Sequence, residues 1–184
     1  LARIQIVPVK LLTDEAFRPF GETLAPKQRQ ADFQGVNSTG WKANFDIDGV
    51  PVIMTLLTTY KRPRFTRMER HFAVSQTFIP LGRIPSVVAV AAPTDRATVP
   101  LPEDITAFVI DGSMGYVLRM GTWHSLDRYP LYPPSSQAVI ITSAATQTEL
   151  ETVTRREWKL TQEIDYAAEF GVTFEFDLSG ITLP

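Results

Sequence analysis

Fourteen prolines in 184 residues constrain the fold more than any other feature. Each removes a backbone donor and fixes φ, so a chain this rich in them is not mainly helical. They fall, with glycines, between short β-rich segments at residues 52–60, 65–72, 75–79, 87–91, 106–110, 115–118, 138–142 and 172–176. Pro63, Pro80-Leu81-Gly82, Pro93, Asp111-Gly112, Gly121 and Pro133-Pro134 are among the separators. Many short strands broken this way read as an all-β sandwich or barrel rather than βαβ units. Residues 3–9 also have strand composition. Thr13 before Asp14 and Glu15 predicts a short helix, capped by the hydroxyl and favoured by two carboxylates at its positive end. Residues 23–44 show little periodicity and read as a loop or arm, and 149–170 as either a terminal strand pair or a brief helix.

A chain of 184 residues buries a core without a second domain or a disulfide, so one domain over 1–184 is expected. The absence of cysteine excludes thiolate nucleophiles, thiolate metal sites and disulfides, and fits a reducing, cytoplasmic setting. No basic, then apolar, leader opens the sequence, and the longest apolar run, 87–93, is too short to span a bilayer. Neither secretion nor membrane insertion is expected. A net charge of −2 gives no general attraction to nucleic acid, and no glycine-rich phosphate loop is present. Arg62, Arg64, Arg67 and Arg70 gather beside Lys61; the cluster suits a small carboxylate or, as readily, a solvated strand edge that discourages aggregation.

The chain has two histidines, in Glu69-Arg70-His71 and in Gly121-Thr122-Trp123-His124. In an extended segment Phe65, Arg67, Glu69 and His71 share one face, and Thr66, Met68, Arg70 and Phe72 the other. Turned inward, the first set places a carboxylate, a guanidinium and an imidazole in a confined space, where each needs a partner. Turned outward, it forms a solvated ladder pair that ends in a histidine. His124 reads as a packing histidine or as the partner of His71 across a barrel mouth. Either imidazole can move a proton near neutral pH. Two histidines with Glu69 or Gln76 would make an N and O ligand set suited to nickel, zinc, iron or manganese.

These residues, in order with Ile6-Val7-Pro8, Leu12-Thr13, Phe20-Gly21, Ser75-Gln76-Thr77-Phe78-Ile79-Pro80 and Val87-Val88-Ala89-Val90-Ala91, resemble the ureidoglycolate lyase family over most of the chain. The resemblance implies a cupin-like β-barrel, or double-stranded β-helix, with one or two short helices, an N-terminal strand and helix arm, and a C-terminal extension. It implies a cytoplasmic homodimer that cleaves ureidoglycolate to glyoxylate and urea late in allantoin breakdown, with a divalent metal, usually nickel. Carried over residue by residue, it makes His71, Gln76 and His124 the polar lining and the metal ligands. Glu69 joins the histidines in catalysis, Arg70 contacts substrate, and Phe78 and Trp123 shape the pocket wall.

One position departs from the family pattern. Where members commonly carry Tyr-His, this chain has Leu118-Arg119, which removes an acid, base or ligand and adds a fixed cation suited to a carboxylate. Arg119 thus joins Arg67 and Arg70 as a candidate anchor for a small carboxylate substrate. Two other readings compete with the lyase: a non-catalytic cupin that binds a small organic acid, and a cupin enzyme acting on a different carboxylated substrate.

Overall fold

The computed structural model describes residues 3–182; the outermost residues of the expected domain, 1–2 and 183–184, lie outside the described residues. In chain order the strands are β1 (Arg3–Leu11), β2 (Gly21–Leu24), β3 (Phe33–Gln34), β4 (Thr39–Gly40), β5 (Pro51–Thr59), β6 (Arg64–Phe65), β7 (Arg67–His71) and β8 (Thr77–Leu81). They continue as β9 (Ser86–Ala91), β10 (Thr106–Ile110), β11 (Gly115–Leu118), β12 (Trp123–Ser125), β13 (Tyr129–Pro130), β14 (Ser135–Ser143), β15 (Thr161–Asp165) and β16 (Val172–Asp177). Three short helices, α1 (Asp14–Phe17), α2 (Ala144–Thr152) and α3 (Tyr166–Phe170), interrupt them.

The mainly-β expectation holds, and the architecture is cupin-like, but the barrel is not closed. One long sheet runs β15-β7-β12-β9-β10-β1-β16-β6, with β13 on β9, and a second runs β2-β11-β8-β14-β5. The long sheet curls strongly, because β6 and β7 lie near its opposite ends yet are separated in the chain by Thr66 alone. No ladder joins β6 to β7; the Thr66 carbonyl instead accepts from the Tyr166 N–H at 2.7 Å, which leaves a curled half-barrel. In the long sheet β1 is an interior strand, parallel to both β10 and β16.

Local sequence accounts for the helices. Thr13 caps α1 by accepting from the Ala16 N–H at 3.2 Å. Ser143 caps α2, Asp165 caps α3, and Gly171 at φ +65° ends α3 in the left-handed conformation that glycine adopts without strain. The expected one or two helices become three, because residues 149–170 hold the end of α2, then β15, then α3. Residues 23–44 remain largely irregular apart from the end of β2 and the β3–β4 pair.

Two cores flank the long sheet. Val87, Ala89 and Ala91 of β9 join one, with Met68, Trp123 and Phe174, while Val88 and Val90 join the other, with Phe78, Phe108 and Tyr116. Five of the six β9 residues, Val87 to Ala91, are fully buried, which explains why this strand reads as an unbroken apolar run. Alternation on β7 and β12 then decides which polar side chains face which core.

Candidate active site

Antiparallel pairing of β7 with β12 sets His124 directly opposite Glu69, and His71 lies two residues along on the face shared with Glu69. His124 also pairs with Val90, so this polar group sits on the side of the second core. The imidazole centroids are 5.2 Å apart, and His71 Nε2 lies 3.7 Å from Glu69 Oε1. One donor atom from each of Glu69, His71 and His124 falls within 4.8 Å of the others. The two histidines that alternation left on an unassigned face are therefore brought together, and both are buried.

A hydrogen bond at the far side of each ring orients it, and for His124 also fixes the tautomer. His124 Nδ1 is 3.1 Å from the Ser125 carbonyl, which only accepts, so Nδ1 carries the proton and Nε2 a lone pair. His71 Nδ1 lies 3.1 Å from Thr161 Oγ1, a hydroxyl that can donate or accept. Both Nε2 atoms are buried without a partner. Glu149 is itself held: burial pushes its carboxyl up, but hydrogen bonds from the Lys159 and Leu160 N–H groups and from Thr161 outweigh this and keep it below the ordinary range.

Electrostatics sharpens the division of labour. Burial, and then the nearby Arg128 charge, lower His71 to about 4 and hold His124 well below the ordinary imidazole value. Burial raises Glu69 to about 7, with Arg128 opposing. At neutral pH the site thus holds two neutral imidazoles and a carboxyl poised to gain or lose a proton. Two imidazole nitrogens and a carboxylate oxygen with no other buried partners fit a small divalent cation of the nickel, zinc, iron or manganese kind.

Arg128, Thr161 and Glu149 belong to this site and escaped the sequence. Arg128 donates from Nε to the Tyr116 hydroxyl at 2.7 Å and from Nη1 to the Ser125 carbonyl at 2.8 Å, with its guanidinium 4.0 Å above the Phe78 ring. Phe78 stacks on Tyr116, as a wall residue would. Arg128 sits in an irregular segment with no periodicity to reveal its direction, and Thr161 and Glu149 become informative only once β15 pairs with β7.

Other expected residues lie elsewhere. Arg70 points into the opposite core, where it donates to the carbonyls of Thr94, Asp95 and Arg96 and to Gln162 Oε1, and stacks on Trp123 at 4.4 Å. Trp123 shares that core and donates to Thr94 Oγ1. Strand alternation carries both away from the imidazoles. Arg67 is half-buried and pairs with Glu163 at 3.3 Å. Arg119 donates to the Arg18 carbonyl at 3.0 Å and borders two polar cavities of about 260 and 380 Å³ that also take in Glu22 and Asn44. Gln76 keeps a buried side-chain oxygen without a partner.

The family model described as ureidoglycolate lyase matches residues 4–161. The chain belongs to the ureidoglycolate lyase family. It is 32% identical over 127 residues to the ureidoglycolate lyase of Burkholderia cepacia, covering 65% of this chain and 70% of that protein. A Rhodobacter capsulatus ureidoglycolate lyase is 30% identical over 148 residues, 76% of this chain and 86% of the relative, and one from Azotobacter vinelandii 28% identical over 131 residues, 66% and 76%. In this member of the ureidoglycolate lyase family the departing pair divides. Leu118 is buried in the second core and Arg119 lies at the surface cavities, so the Tyr-His to Leu-Arg change does not put a cation against the imidazoles.

Proposed function

We propose that the protein is a ureidoglycolate lyase, a carbon–nitrogen lyase that releases urea and glyoxylate in allantoin, and hence purine, degradation. The observation that carries this reading is the convergence of two unpartnered Nε2 atoms and Glu69 in one dry cluster within a chain of this family. Ureidoglycolate bears a hydroxyl and a ureido nitrogen on the carbon next to its carboxylate. Removing the hydroxyl proton lets the carbonyl of glyoxylate form as the C–N bond breaks, and protonating the departing nitrogen releases urea.

Glu69 is the residue suited to carry that proton. Its value of about 7 matches a group that accepts at one moment and donates at the next, whereas His71 at about 4 is a weak base near neutrality. Glu69 takes the hydroxyl proton and delivers it to nitrogen. His71 and His124, held from behind by Thr161 and Ser125, present their Nε2 edges to the reacting carbon's substituents, and Phe78 walls the space. A divalent cation, nickel by family resemblance, would be held by Nε2 of both histidines with Gln76 Oε1 a further donor, leaving Glu69 for the proton, and would polarise the hydroxyl it met.

The reading extends to a cytoplasmic homodimer of one cupin-like domain over 1–184, a fold in which β1 lies against β16. Among the described residues no helix is long and apolar enough to cross a membrane. Metal analysis of the purified protein, with urea and glyoxylate measured on ureidoglycolate, tests the proposal. Stoichiometric release of both products is expected; binding without products favours the small-acid binder, and turnover of another carboxylated substrate alone favours a different cupin enzyme.

A further inference from the structure

We infer that Arg128 anchors the substrate through its carboxylate, so that the site selects small monocarboxylates carrying a hydroxyl on the adjacent carbon. The inference deepens the lyase reading and rests on it for the reaction. Arg128 is nine-tenths buried, yet makes no ion pair among the described residues. A buried guanidinium without an anion is costly, and a bound carboxylate removes that cost. Tyr116 and Ser125 pin its Nε and Nη1 edge, Phe78 fixes its plane, and Nη2 is left buried with no acceptor. A guanidinium offers N–H groups in a rigid fork, so pinning one side aims the other.

Arg128 lies beside the reacting groups, since its Nη1 and His124 Nδ1 meet at the same Ser125 carbonyl. Arg128 is the first charged neighbour felt by Glu69, by His71 and by His124. It also borders an outer cavity of about 240 Å³ with Lys61, Leu126 and Asp127, where the Lys61–Asp127 ion pair carries no net charge. Arg67, Arg70 and Arg119 have their donors directed elsewhere, and none combines burial with an unpartnered nitrogen on this side of the sheet.

Arg128→Gln in the full chain should raise KM for ureidoglycolate about 10- to 100-fold, the range for a charge-assisted hydrogen bond, and change kcat less. Glycolate should inhibit the wild type competitively and the variant hardly at all, while neutral glycolamide should inhibit neither. In the folded wild type, nitrogen NMR of labelled arginine should show the Arg128 guanidinium shifting with glycolate and not with glycolamide, which decides the matter even if the variant fails to fold. A wild-type Arg128 signal unmoved by glycolate, or equal binding of the acid and the amide, overturns the anchor. If glycolate binds on Arg128 but ureidoglycolate gives no urea, the lyase reading fails and the anchor stands. A native KM in Arg128→Gln fails the anchor and leaves the lyase.

Discussion

His71, His124 and Glu69 share a dry space, and the direction in which each ionises sets how the molecule responds to pH. His71 falls from 6.5 to about 4 on folding, so below 6.5 the unfolded chain binds a proton the folded one refuses. Stability is lost as pH falls from about 6.5 towards 4, on the order of 3 kcal/mol for this residue, and His124 acts in the same direction. Glu69 works oppositely. Its rise from 4.5 to about 7 means the folded state holds the extra proton, so stability falls as pH rises through that window. Two imidazoles outweigh one carboxyl below 6.5, and metal-free protein should be most stable near pH 6.5 by urea unfolding. Glu69→Gln removes only the alkaline loss, so its midpoint above pH 7 should exceed the wild type's; equal midpoints would show that Glu69 does not hold its proton. In assays, His124→Ala should lower turnover at least about 100-fold while near-ultraviolet circular dichroism stays native, and unchanged turnover would remove His124 from the chemistry.

Strand β7 carries two jobs on its two faces. Glu69 and His71 line the polar cluster, while Arg70 ties the Thr94–Arg96 segment to β15 through carbonyls and Gln162. Arg70→Met should therefore cost about 3 kcal/mol or more in urea unfolding, because it orphans buried carbonyls, with KM of the folded fraction unchanged; a raised KM with native stability would return Arg70 to the substrate. Period-two alternation in 65–72 made this split legible in the sequence, and it placed Glu69 and His71 together with no structure in hand. Which face was the chemical one was not legible, because both faces of β7 are buried and a buried arginine was as good a ligand as a buried histidine. The same limit hid Arg128, whose direction is set by Tyr116 and Ser125 across irregular backbone. It also hid the interior place of β1, because parallel pairing to β10 and β16 joins segments about a hundred residues or more apart. Gly21 shows what the sequence reports without explaining: a Cβ there would stand 1.8 Å from the Val117 carbonyl oxygen. Gly21→Ala should accordingly force β2 from β11 and cost about 3 kcal/mol or more, at or beyond the usual range for overpacking, and a native urea midpoint would contradict that contact.

At the scale of the whole molecule, the outer face of the second sheet has no cover. Its edge strand β5 alternates, with Met54 and Leu56 packed inward and Ile53 and Leu57 exposed at 71% and 61%. Register sets Ile53 beside Ile141, Leu57 beside Gln137, and Leu81 and Ile79 beside Gln137 and Val139. None of these side chains is charged, so two copies can meet face to face about a two-fold axis without like-charge repulsion. A nine-residue edge such as β5 would be an aggregation hazard if left open and flat, and the proposed homodimer closes it. Sedimentation equilibrium should give about twice the 20.6 kDa chain mass, and Ile53→Lys should give the single-chain mass by placing two cations against the shared apolar face. Because Ile53 is exposed on the outer face and belongs to neither the imidazole cluster nor the Arg128 cavity, ureidoglycolate turnover per chain should survive that substitution. A wild type that sediments as a monomer at micromolar concentration would discard this interface without touching the site, since all of the site's residues come from one chain.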